Sequence, residues 1–302
     1  RKGERKAAEV QLTKTDRNGK LAAPVAGLAN WASNEKNGFT RPILEGVLGV
    51  DRKAALPKFV GKTLTARVKN DGVSVNTDAP AHGRKAVLYA TCYGNYNVPE
   101  IGEAARKVLA HNGVETEVVY PGCCGMPQLE QGKIADVAEK AKSVAAELKP
   151  WINKGYDVIG LVPSCTLMMK FEWKLIVPDD ENVLALSAAA KDVSEYIVDI
   201  AKNEGLAEGL GALDGGVVVH LACHARAQNV GAKAAELMRL IPDSDVQVIE
   251  RCSGHGGSWG VMKDNFETAL KVGKTAARTA AKSGKKFVAS ECPLAGLHIA
   301  QG

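Results

Sequence analysis

The chain has 302 residues, 45% of them hydrophobic and 24% charged, which suits one large or two modest domains and excludes wholesale disorder. No apolar run reaches the ~18 residues of a membrane-spanning helix, and the start, RKGERKAAEV, lacks a signal peptide's apolar stretch. A net charge of +5 is too mild to argue for a nucleic-acid partner, and seven cysteines, an odd number without a secretion signal, argue against a disulfide framework.

Residues 1–84 differ from the rest. They carry 16 Lys/Arg against 8 Asp/Glu, a net of +8, and no cysteine, so the remaining 218 residues sum to −3. Loop signals such as DRNGK, NEKNG and NDGVSVNTDAPAHG interrupt two short amphipathic helices, expected around Leu21–Trp31 and Ile43–Val50. The segment reads as a basic arm wrapping the main body, or as a docking surface for an acidic partner or an anionic membrane surface.

From Lys85 onward, apolar runs of four to eight residues alternate with helical stretches, the signature of βαβ units around a parallel sheet. The expected strands are KAVLYAT, ETEVVY, YDVIGLV, GVVVHLA, VQVIE and KKFVAS. The expected helices are Glu100–His111, Ile134–Ala146, Val193–Lys202, Gly231–Leu240 and Asn265–Lys282. Between Pro178 and Gly216 lies a connecting region ending in the Gly-rich GLAEGLGALDGG.

The two parts repeat. KAVLYATC matches GVVVHLAC, VVYPGCCG matches VIERCSG, and IGLVPSC matches KFVASEC, with offsets of 131, 129 and 127 between the cysteines. A nearly constant offset at three places marks internal duplication. The expected fold is therefore α/β, two pseudo-symmetric cysteine-rich βαβ halves with parallel sheets behind a basic helical arm. The divisions are 1–84, 85–212 and 213–302.

Every cysteine follows an expected strand, and side chains just past the carboxyl ends of parallel strands line the ligand crevice of an open sheet. The first half then gathers Cys92, Cys123, Cys124 and Cys165, and the second Cys223, Cys252 and Cys292. Four thiolates suit Zn²⁺ or an iron–sulfur cluster. Adjacent Cys123 and Cys124 reach one centre only from a loop, which Pro121, Gly122 and Gly125 supply, and the several irons of a cluster accept both more readily than one tetrahedral ion. A thiol/disulfide redox site and inert buried cysteines also stand.

The repeated C…CCG…C arrangement and the run ATCYGNYNVPEIGEAARKVLAHNGVETEVVYPGCCGMPQLEQG resemble the cysteine-rich CCG domains. Such domains occur in the B subunit of heterodisulfide reductase and in the C subunit of anaerobic glycerol-3-phosphate dehydrogenase. The resemblance covers residues 85–302. It implies a cytoplasmic or peripherally membrane-associated iron–sulfur electron-transfer subunit. Its partner would be a flavoprotein dehydrogenase, a ferredoxin-type subunit or a quinone/disulfide reductase module. Such proteins often have upstream CxxCxxCxxxC runs; this sequence has none, so the chain reads as a fragment or as a product lacking that module.

The family pattern C…CC…CxxC offers five thiols per half. Here the last motif reads CTLM from Cys165 to Met168 and CPLA from Cys292 to Ala295, and Ser253 stands where the first half has Cys124, leaving four thiols and three. Four suffice for a [4Fe–4S] cluster. With three, either one iron is open to His255, His224 or Ser253, or the second site is degenerate and its cysteines only pack. His220 reads as a structural histidine, and the glycines of GHGGSWG as a loop that brings backbone N–H groups to sulfur. The rival readings from other classes are a non-redox scaffold and a zinc-binding structural protein.

Overall fold

The computed structural model describes residues 7–302. Its centre is a four-stranded parallel sheet in the order β2-β1-β3-β4, formed by β1 (Lys85–Tyr89), β2 (Glu115–Val119), β3 (Asp157–Gly160) and β4 (Ala190–Asp192). A second parallel sheet has the order β6-β5-β7, from β5 (Val217–His220), β6 (Val246–Ile249) and β7 (Phe287–Ser290). In each half the first strand is central and the next two flank it.

These strands are apolar runs because helices cover both faces of a parallel sheet. Ala86, Val87, Leu88 and Tyr89 of β1 are all fully buried, as is Val218 of β5. β4 escaped sequence reading because Ala-Lys-Asp has no apolar run; it pairs only at the sheet edge, with β3. All five expected helices form. The second extends beyond the expected Ala146 to Asn153, with Pro150 inside it. Among the described residues no helix is long and apolar enough to cross a membrane.

The basic N-terminal segment is a strap across both halves. Its helices run Thr15–Ala22, Ala26–Ser33 and Thr40–Leu48. Arg41 organises it from within: only 1% exposed, it donates to the carbonyls of Ser33, Asp51, Arg52 and Ala54, satisfying a buried guanidinium with backbone acceptors alone. Val50 bridges to Met262, and Val50, Ala54 and Phe266 share a core with Leu12 and Leu270, tying the strap to the second half. Val60 N–H donates to the Tyr96 carbonyl and Asn97 to the Lys58 carbonyl, tying it to the first half. Its outer face leaves Leu21, Leu28, Trp31, Phe39 and Val47 exposed.

The halves also touch directly. Gln228 of the second donates to the carbonyl of Pro163 in the first at 3.3 Å, and Lys202 pairs with Glu236 at 2.7 Å. The Gln228–Pro163 contact joins the segments just past the carboxyl ends of β5 and β3.

Candidate metal centre

In the first half, each cysteine leaves the carboxyl end of a strand. Cys92 opens the helix Cys92–Tyr96 after β1, Cys123 and Cys124 lie in the irregular loop after β2, and Cys165 lies in the helix Pro163–Leu167 after β3. Thr91 caps the first of these helices by accepting from the Gly94 N–H at 3.0 Å, and does so at φ 55°. A β-branched residue there costs about 1–3 kcal/mol, strain of the kind concentrated at functional sites.

The four sulfurs lie as two pairs, Cys92 with Cys123 at 3.9 Å and Cys124 with Cys165 at 3.2 Å. Cys123 and Cys124 are 2% exposed, Cys165 5%, and Cys92 is half-buried. Among the described residues no three His, Cys, Asp or Glu side chains converge on one point as ligands of a single ion would. The loop is clamped at both ends, since Tyr89 donates to the Gly122 carbonyl at 2.6 Å and Trp173 Nε1 donates to the Cys124 carbonyl at 3.1 Å. Gly125, at φ 84°, turns its N–H to the Cys123 sulfur at 3.5 Å.

Hydrogen bonding from Cys124 and Cys92 holds the Cys123 thiol well below the ordinary range, helped by the Gly125 N–H and Thr15. The Cys92 thiol is pushed up by its contact with Cys123 and then by burial, and Cys124 by its contacts with Cys123 and Cys165 and then by burial. Hydrogen bonding by S–H, N–H and O–H groups thus favours one thiolate in the pocket, and Lys14, Arg17 and Lys140 line the cavity beside Cys123.

The second half repeats the layout in a more open form. Cys223 opens the helix Cys223–Arg226 after β5, Cys252 follows β6, and Cys292 caps the helix Pro293–Gln301 after β7. Cys223 and Cys252 are exposed and Cys292 is half-buried. The Gly254 N–H donates to the Cys252 sulfur at 3.4 Å, the counterpart of the Gly125 contact. Gly254, at φ 79°, has no room for a side chain, because a Cβ would lie 2.0 Å from the Ala269 carbonyl oxygen. Burial pushes the Cys292 thiol up, and the sulfurs of Cys223 and, across the boundary between the halves, Cys165 add to the shift. The two cysteine sites therefore face each other.

The other residues singled out in the sequence divide. His255 lies beside the second site, edge-on to His298 with ring centroids 5.9 Å apart, and its backbone N–H donates to Ser253 Oγ at 3.5 Å. His224 is lowered by burial. His220 is structural, bonded to Ser290 Oγ at 2.9 Å and to the Arg251 carbonyl at 2.8 Å. Arg226 pairs with Glu250 at 3.7 Å on the surface, away from any sulfur contact. Tyr89, Trp173, His298 and Thr15 carried no signal in sequence, since each meets the sites only through the fold.

The cysteine-rich domain model, CCG, matches residues 86–170 and again residues 217–300, one copy on each sheet. The chain belongs to the CCG cysteine-rich domain family. Among its relatives is the C subunit of anaerobic glycerol-3-phosphate dehydrogenase from Escherichia coli strain K12, 26% identical over 286 residues, covering 93% of this chain and 69% of that protein. The B subunit of fumarate reductase (CoM/CoB) from Methanothermobacter marburgensis is 26% identical over 223 residues, covering 72% of this chain and 42% of that one. An uncharacterized iron-sulfur protein of Methanococcus maripaludis is also 26% identical, with 71% of this chain and 41% of its own length covered. The CCG repeat spans both duplicated halves, and the strap lies before the first copy.

Proposed function

We propose that the protein is an iron–sulfur electron-transfer subunit of an oxidoreductase. A [4Fe–4S] cluster would be held by Cys92, Cys123, Cys124 and Cys165. A second, with one iron free of cysteine, would be held by Cys223, Cys252 and Cys292. The observation that carries this reading is the gathering of four thiols from three strand ends into two adjacent pairs, three of the four buried, with backbone N–H donation to sulfur. That donor set fits the group: soft sulfur ligands and a loop that presents two adjacent thiols. The names of the relatives, subunits of a dehydrogenase and a reductase and an iron-sulfur protein, support the same class.

Bound there, a cluster would supply a one-electron couple. The chain's own residues set its surroundings. The N–H groups of Gly125 and Gly254 draw charge from Cys123 and Cys252, which favours the reduced form and raises the potential. Cys123, Cys124 and Cys165 are buried at the first site, whereas exposure of Cys223 and Cys252 leaves the second open to a substrate or partner. Cys292 is within electrostatic reach of both Cys165 and Cys223. The names of the relatives support another subunit as partner, and the partner we propose is a flavoprotein dehydrogenase or a ferredoxin-type protein.

Protein purified without oxygen is expected to be brown, with iron and acid-labile sulfide in about equal amounts. Cys124→Ser is expected to abolish the first cluster's signal and leave the second. Colourless protein with stoichiometric zinc overturns the redox reading, and two unchanged cluster signals in Cys124→Ser overturn the four-ligand assignment.

A further inference from the structure

The two cysteine sites have the same layout but not the same cover. Cys92 is half-buried where its equivalent Cys223 is exposed, and Cys123 is 2% exposed where its equivalent Cys252 is open to solvent. Both halves supply equivalent strand ends, and the first site has in addition a cover from outside the repeat, the strap. We propose that Thr15, from outside the duplicated fold, is part of the first thiol site, its helix forming a wall of the pocket and its hydroxyl donating a hydrogen bond to the sulfurs of Cys92 and Cys123.

Thr15 Oγ1 lies 3.4 Å from the Cys92 sulfur and 3.6 Å from the Cys123 sulfur, across 77 and 108 residues of sequence. Between a hydroxyl and a thiol either group can donate. A metal-bound thiolate has no proton, so in the loaded protein the donor is the hydroxyl. Charge-assisted bonds of this kind are the stronger class.

The helix Thr15–Ala22 is seated by contacts on both sides of Thr15. Tyr120, three residues before Cys123, donates to Asp16 Oδ1 at 2.5 Å and stands edge-on to Tyr96 at 5.5 Å. Gln128 and Gln131, just after Cys124, donate to the carbonyls of Thr13 at 2.8 Å and Glu9 at 3.1 Å. Gly19 lies directly on Tyr96, where a Cβ would come within 2.4 Å of the ring. The loop that presents the vicinal cysteines is thus the loop that grips the strap. A cavity of about 320 Å³ between Lys14, Asp16, Arg17 and Cys123 remains beside the helix, so small molecules can approach Cys123 while a protein surface cannot.

The redox part of this inference rests on the iron–sulfur reading; the cover does not, so two measurements on the full chain separate them. The first is the potential of the first cluster, followed by its paramagnetic signal. Removing a donor to sulfur in Thr15→Val is expected to lower that potential, Thr15→Ser to restore it, and the second cluster to stay unchanged in both. The second is labelling of the reduced, iron-free protein with a bulky maleimide, read cysteine by cysteine, with exposed Cys223 as internal standard. Gly19→Ala, which forces the helix off Tyr96, is expected to speed labelling of Cys92 and Cys123 about tenfold relative to Cys223, as loss of a contact of ordinary strength would. An unchanged potential in Thr15→Val, a shift that Thr15→Ser fails to reverse, or unchanged relative labelling in Gly19→Ala overturns the proposal. Failure of the parent protein to take up iron defeats the function proposed above, and the labelling result still decides the cover.

Discussion

His255 shows how a single side chain acquires its role from the surroundings. Burial, and then the neighbouring His298, lower its pKa to about 4, so it is neutral across the physiological range and has a ring nitrogen free of a proton. His298 is itself only 4% exposed, and its Nε2 finds no partner. Ser253, standing in place of a second vicinal cysteine, instead accepts from the backbone N–H of His255. Of the three residues that position alone nominated for the vacancy, the two histidines, both lowered by burial, suit an iron better than Ser253, because a serine hydroxyl is rarely ionised. His255→Ala is expected to lower the potential of the second cluster by on the order of 100 mV if the imidazole is a ligand. Redox titration of the parent and variant checks this, and an unchanged potential and spectrum remove His255 as a ligand.

At the scale of elements, the join between β4 and the helix Val193–Asn203 stores a pH dependence. Asp192 caps that helix, accepting from the Ser194 N–H at 3.0 Å, and Glu195 completes a capping box. Because the cap is also buried, its carboxyl is pushed up to about 6, with Glu195 adding to the shift against the opposing Ser194 bond. Its unfolded pKa is ~3.9. Its contribution to stability is therefore complete below pH ~4 and is lost as pH rises through about 6. Asp192→Asn keeps the cap acceptor and removes the charge. The variant is expected to match the parent near pH 4 and to exceed it by roughly 2 kcal/mol above pH 7. Urea unfolding at the two pH values measures this; a difference independent of pH would mean that Asp192 titrates normally.

On the scale of the molecule, charge and exposure divide between strap and body. Residues 1–84 carry +8 and the cysteine-bearing remainder −3, and the strap's outer face exposes Trp31, Phe39 and Val47. These features support a strap with two faces, the inner one completing the first site and the outer one receiving an acidic partner subunit. The affinity for a copurified flavoprotein is then expected to fall about tenfold as salt rises from about 0.05 to about 0.3 M. Trp31→Ala should weaken it at every salt concentration. Sedimentation of the complex gives both numbers, and an affinity indifferent to salt and to Trp31 would place the partner elsewhere.

Much of this was legible in the order of residues. Six of the seven strands read as apolar runs because parallel strands are buried on both faces, and the near-constant spacing of the cysteine motifs disclosed the duplication; the strand order came from the structure. The same periodicity placed each cysteine at a strand end, since a strand's boundary is local information. What sequence could not show was which of two equivalent sites is covered. Thr15 meets sulfurs 77 and 108 positions away, and Trp173 meets the carbonyl of Cys124 from the far side of the core. Contacts at such separation leave no periodic trace. Duplication determined that there are two cysteine sites; only the tertiary path of a strap outside the repeat decided that one is closed and the other open.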